Sequence, residues 1–206
     1  LPGPVWTMPD QERVFALLRA SARPGAFGVI SGSQPPGVPV DFPASLAQAM
    51  PGLQVVLDTS GPALAQAVSY PIPNLAILRM DGDEAESLAG HPLTTRSDSA
   101  DFAAALVARG VAKMVVVARG ADGSVLVDKD RRIFAKAAKV TVKSTVGAGD
   151  SFVAGLVLSL ARGEGPERAL ALGAAAASAA VTSDATQLCK AEDVRRLLPE
   201  CVISEI

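Results

Sequence analysis

Four short runs, Ala26-Phe-Gly-Val-Ile30, Leu53-Gln-Val-Val-Leu57, Leu75-Ala-Ile-Leu78 and Met114-Val-Val-Val117, are almost wholly apolar, and stretches with helical spacing lie between and beyond them. A strand that is apolar on both sides has to be covered on both faces. That requirement predicts an α/β chain with a mostly parallel central sheet and helices on both faces. Helices are expected over residues 9–20 (Val14, Phe15, Leu17 and Leu18 inward), 41–50, 62–68 and 99–109. Another opens in Arg79-Met-Asp-Gly-Asp-Glu84 and stops at Gly90, and three more cover 152–160, 166–181 and 191–198. Further strands are expected at 123–127 and 138–142, with a loop over Leu1-Pro-Gly-Pro4. In such sheets ligands sit off the C-terminal strand ends.

A chain of 206 residues that is 49% hydrophobic suits one domain, residues 1–206, with a substantial core. A net charge of -2 offers no electrostatic case for nucleic acid or an anionic membrane surface, and the apolar tracts are too short to span a bilayer. Cys189 and Cys201 are too few for a disulfide framework or a zinc site, and they read as small apolar residues in a reducing cytoplasm. The single histidine, His91, beside Pro92, argues against Ser-His-Asp catalysis and against a histidine metal centre.

The chemistry concentrates in Ser144-Thr-Val-Gly-Ala-Gly-Asp-Ser-Phe-Val-Ala-Gly155. A glycine turn lets the backbone approach a ligand, and the first N–H groups of the following helix lack internal partners, which suits an anion. Asp150 in that turn is either a helix cap or a group placed to take a proton from a hydroxyl attacking a phosphate.

Over its whole span this segment resembles the C-terminal signature of the PfkB/ribokinase-like carbohydrate kinases. The resemblance implies Asp150 as catalytic base, the Gly147, Ala148 and Gly149 amides as an anion hole, and Thr145 on the nucleotide. Ser31-Gly-Ser-Gln-Pro-Pro-Gly-Val-Pro39 resembles the Gly-Ser-x-Pro-Pro-Gly-Val segment of 1-phosphofructokinases and tagatose-6-phosphate kinases, and Asp58-Thr-Ser-Gly61 fits the same branch.

Arg79-Met-Asp-Gly-Asp-Glu84 aligns with the family's Lys-Pro-Asn-x-x-Glu, which implies Asp81 and Glu84 near magnesium. Their alternative reading is as carboxylates favoured at a helix start. Ala118-Arg-Gly-Ala-Asp-Gly123 matches a Thr-x-Gly-x-x-Gly nucleotide loop at Gly120 and Gly123, with Arg119 available to phosphates; a hairpin turn is the alternative. Ala174 to Ala180 is similar to the helix beside the adenine, or serves close helix packing.

The implied activity is transfer of the ATP γ-phosphate to a phosphosugar hydroxyl with Mg2+. Fructose 1-phosphate is the expected acceptor, and tagatose 6-phosphate or another sugar is the alternative. A nucleotide-binding fragment without activity is the reading from another class. Because the chain opens on Leu1 rather than methionine, upstream residues are expected, and the N-terminal strands and β-lid of the ribokinase-like fold are missing from this stretch. The exposed apolar surface that follows predicts a homo-oligomer.

Overall fold

Alternate residues of the central strands are buried on opposite sides of one sheet. The computed structural model describes residues 3–184 and 187–206; Leu1 and Pro2, in the expected opening loop, lie outside the described residues. The strands are β1 (Phe27–Ser31), β2 (Gln54–Asp58), β3 (Ile77–Asp81), β4 (Met114–Ala118), β5 (Gly123–Asp128), β6 (Arg132–Lys136) and β7 (Ile203–Glu205). They lie in the order β1-β2-β3-β4-β5-β6-β7. Helices are α1 (Met8–Ser21), α2 (Phe42–Gln48), α3 (Gly61–Ser69), α4 (Gly82–Ala89), α5 (Arg96–Ala108), α6 (Ala148–Ala161), α7 (Pro166–Ala180) and α8 (Ala191–Leu197).

One apolar layer joins Leu57, Met80, Val117 and Val125 to Leu64 of α3 and Leu106 of α5. The other joins Val56, Ile77, Val116 and Leu126 to Phe152 and Leu156 of α6 and Leu170 of α7. Helices on both faces therefore match the sequence reading.

The expected parallel character holds for only half of the sheet. β1 to β4 pair in parallel, whereas β4 with β5, β5 with β6 and β6 with β7 are antiparallel. For the first two of these pairs the cause is loop length: only residues 119–122 and 129–131 join β4 to β5 and β5 to β6, too few for the crossover that a parallel return needs. The sheet is mixed.

Other expectations shift locally. Residues 138–142 alternate as a strand would but join no strand; the chain leaves the sheet there, and the Lys143 N–H instead donates to the Val181 carbonyl at 2.7 Å. β3 begins later than expected and continues through Arg79. Leu17, expected inward, is 67% exposed. Gly90 ends α4 as expected, in the left-handed conformation at φ 75°.

The small residues of α6 and α7 serve their packing. A Cβ on Gly155 would stand 2.8 Å from the Leu172 carbonyl oxygen, and one on Gly173 3.0 Å from that of Phe152. Ala174, Ala175, Ala176, Ala179 and Ala180 are buried in this contact region, which gives the alanine run a packing role.

Candidate active site at the head of the sixth helix

Three parallel strand ends converge on the N-terminus of α6. Gly147 caps that helix with φ 78°, a left-handed conformation that strains other residues. Ala148, Gly149 and Asp150 form its first turn, and the Gly149 and Asp150 amides have no hydrogen-bond acceptor among the described residues. The turn thus presents free N–H groups and the positive end of a 14-residue helix. Asp150 is exposed on this turn, and the Ser31 hydroxyl at the end of β1 donates to its Oδ1 at 3.0 Å. Thr145, also exposed, lies just before the turn, where its carbonyl accepts the Ala148 N–H at 3.3 Å.

Beneath the turn lies an ion pair that sequence reasoning did not assemble. Arg79 Nη1 donates to Asp58 Oδ1 at 3.0 Å, with the two side chains only 14% and 11% exposed. The same guanidinium packs under Gly149: a Cβ there would meet Nη1 at 3.2 Å and Nη2 at 3.4 Å. Gly149 therefore lets a cation stand directly against the turn that carries the free amides. The aligned lysine place at Arg79 was the available signal, but its partner lies 21 residues away.

Burial raises the Asp58 carboxyl above the ordinary value of 3.8, outweighing the Arg79 guanidinium that pulls it down; the Asp150 and Asp81 carboxylates push it further up. The native state then keeps this proton to higher pH than the unfolded chain does. The stability contributed by Asp58 accordingly declines as pH rises from 3.8 through the raised native value, and is level above it. Melting temperatures followed between about pH 4 and about pH 7 should decline less steeply for Asp58→Asn than for the parent. Identical slopes would contradict this assignment.

Asp81 and Glu84 cap α4. The Glu84 N–H donates to Asp81 Oδ1 at 2.9 Å, and the Asp81 N–H donates to Glu84 Oε2 at 2.8 Å. Burial raises the Glu84 carboxyl, partly offset by that Asp81 amide. One oxygen of each carboxylate stays outside the reciprocal pair. Among the described residues no group of three or more His, Cys, Asp or Glu is arranged to hold a metal ion. The donor set is hard oxygen all the same, which suits a water-rich magnesium held by one or two carboxylates.

A cavity of about 540 Å³ opens off the ends of β3 and β4, between Asp81 and Gly82 on one side and Thr94, Arg119 and Gly120 on the other. Arg119, expected at the nucleotide phosphates, turns its guanidinium into the wall of this cavity. It donates to the carbonyls of Leu93 and Thr94 at 3.0 Å each, to the Ser99 hydroxyl, and to Asp122 at 3.2 Å. Its geometry is that of a brace between the β4–β5 turn and the start of α5, with four of its five N–H donors engaged. Gly120 sits open at φ 57°, with nothing within 4 Å of a Cβ position. Gly123 is held by the sheet instead, since a Cβ there would stand 2.0 Å from the Ala135 carbonyl oxygen. The structure thus brings Asp150, Gly147, Ala148, Gly149 and Thr145 together, with Asp81 and Glu84 two strands along and Gly120 and Arg119 one further.

Residues 9–193 match the family described as pfkB family carbohydrate kinase. The ATP-dependent 6-phosphofructokinase isozyme 2 of Mycobacterium tuberculosis is 34% identical over 198 residues, covering 95% of this chain and 57% of that protein. The 1-phosphofructokinase of Bacillus subtilis is 30% identical over 203 residues, covering 97% of this chain and 65% of that protein. Phosphofructokinase-2 from Escherichia coli, solved in complex with substrates and products, superposes with a TM-score of 0.88 at 33% identity over 98% of this chain and 65% of that one. Its tetrameric inhibited form gives 0.87 at 32% identity, over 97% and 64%. The chain spans about three-fifths of the length of these relatives. A glycine turn at a helix head, an adjoining carboxylate, and a family match running through almost all of the sequence have one common source: the chain belongs to the pfkB family of carbohydrate kinases.

Proposed function

We propose that the protein, with whatever further segments its complete chain carries, transfers the γ-phosphate of ATP to a hydroxyl of fructose 1-phosphate, giving fructose 1,6-bisphosphate. The observation that carries this reading is Asp150 standing in the first turn of α6, beside the unpartnered amides of Gly149 and Asp150. An anion at those amides and a sugar hydroxyl at Asp150 would be neighbours, as in-line phosphoryl transfer needs.

In this reading Asp150 takes the hydroxyl proton, and the Gly147–Gly149 turn holds charge that develops on the transferred group. Arg79 adds a fixed positive charge beneath Gly149. Gly120 sits open on the wall on which the nucleotide lies, Gly123 fixes the strand behind it, and Arg119 holds that wall in place. Asp81 and Glu84 would hold Mg2+, which supplies charge neutralisation to the nucleotide phosphates. The sugar-gripping strands and lid are assigned to the part of the relatives' length that this chain does not match, and residues 1–206 are read as the nucleotide-side α/β domain of a cytoplasmic enzyme.

Fructose 6-phosphate is a second reading, favoured by the 34% identity to a 6-phosphofructokinase across 95% of the chain. Self-association is expected along the edge strand β1, where Val29 is 46% exposed. Phosphorus NMR of the product from each fructose monophosphate separates the two acceptors: growth of the bisphosphate with one isomer alone assigns the substrate. Growth with neither, while another sugar phosphate is consumed, would overturn the fructose assignment.

A further inference from the structure

The contact between Ser31 and Asp150 joins residues 119 positions apart, and neither the capping of α6 nor the pairing of β1 requires it. Ser31 is fixed from two sides. It is the last residue of β1, in register with Asp58 of β2, and the next amide, Gly32 N–H, donates to the Asp58 carbonyl at 2.9 Å. The loop beyond it is tied down as well. The Thr59 hydroxyl donates to the Gly32 carbonyl at 2.8 Å, and the Trp6 N–H donates to the Pro36 carbonyl at 2.7 Å. Asp150, by contrast, is exposed on the first turn of a helix, and its side chain has no other hydrogen-bond partner among the described residues. A carboxylate so placed exchanges between staggered rotamers unless something outside its own helix holds it.

Resting on the assignment of Asp150 as the base, we infer that Ser31 is a positioning residue for the phosphoryl transfer. Its hydroxyl donates to Oδ1 and leaves Oδ2 for the proton of the acceptor hydroxyl. The proton moves from that hydroxyl to Oδ2 as the sugar oxygen bonds to phosphorus and the bond from phosphorus to the ADP oxygen breaks. The Ser31 proton stays where it is. The role is thus one of orientation: it favours the rotamer in which the second oxygen faces the neighbouring anion site, and a misplaced reacting group costs up to about a hundredfold in rate.

Ser31→Ala and Ser31→Thr in the full chain test this. The alanine variant is expected to lose roughly 10- to 100-fold in kcat, with KM for ATP and the melting temperature close to the parent's. The threonine variant keeps the donor and should return kcat to within a few-fold. An unchanged kcat in Ser31→Ala would overturn the inference, and so would a kcat loss matched by weaker ATP binding or a lowered melting temperature, which marks a structural tie. If Asp150→Asn abolishes turnover while Ser31→Ala does not change it, only the role of Ser31 fails. If Asp150→Asn turns over like the parent, the base assignment fails, and the inference with it.

Discussion

Replacing Asp150 with asparagine should reduce turnover about a thousandfold while leaving the fold and ATP binding in place. Asparagine keeps the size of the side chain and an oxygen that can accept from Ser31, so the contact at 3.0 Å survives. What it loses is the capacity to take a proton, and a positioned base typically contributes about 10²- to 10⁴-fold. Stability should change little. Asp150 is exposed, and a carboxylate in the first turn of a helix contributes at most about 1 kcal/mol through the dipole. Nucleotide affinity should hold or rise, because a negative charge beside the phosphates is removed. Calorimetric titration with ATP beside a turnover assay reads both quantities. Loss of binding in step with turnover would make Asp150 a structural residue.

Gly123→Ala should be among the most destabilising single-methyl changes in the molecule. Gly123 has φ 138°, and the added carbon would sit 2.0 Å from the Ala135 carbonyl oxygen and 2.8 Å from the Phe134 ring. Those atoms belong to β6, the hydrogen-bonded neighbour of β5, and cannot withdraw without opening the sheet. Overpacking together with a disfavoured φ amounts to about 4 kcal/mol. For a chain of this size that is roughly a 10 °C fall in melting temperature. Gly120→Ala is the control. Its φ of 57° is strained too, but nothing lies within 4 Å of the new carbon, so a loss of about 1 kcal/mol is expected. Equal falls in the two variants would show that the strand approach at Gly123 is not what fixes glycine there.

The same two positions show why only part of this architecture was legible in sequence. The Gly-x-x-Gly spacing was plain, but the distance between β5 and β6 that demands glycine at 123 exists only once the strands pair. β6 itself went unread: its apolar centre, Ile133-Phe-Ala135, is short and flanked by Arg132 and Lys136. The neighbouring stretch 138–142 alternated convincingly and pairs with nothing, because alternation describes a chain's capacity for pairing and not its partner. β3 looked as though it ended at Leu78, since a charged residue follows; it continues because Asp58 on the adjacent strand neutralises Arg79. Capping signals, by contrast, are local. Thr95 and Asp98 spell the box that starts α5 three residues before the periodic apolar pattern suggests, and Asp81 with Glu84 spell the box that opens α4 within the expected segment.

The site divides along the same line. The glycine turn and Asp150 lie within one contiguous motif, so spacing sufficed to single them out. Ser31, Asp58 and Arg79 lie on three strands and meet only through the parallel register of β1, β2 and β3. Arg119 was singled out by its place in the Gly-x-x-Gly loop, yet the direction of its guanidinium was decided by carbonyls at Leu93 and Thr94 that no spacing connects to it.

ADP release by this chain, supplied with Mg-ATP and each fructose monophosphate in turn and run beside Asp150→Asn, decides whether Asp150 is the base of a sugar kinase. Sugar-dependent release is expected, by the chain itself or with whatever further segments its complete protein carries, and it should disappear in the variant. Release that persists unchanged in Asp150→Asn would contradict that assignment.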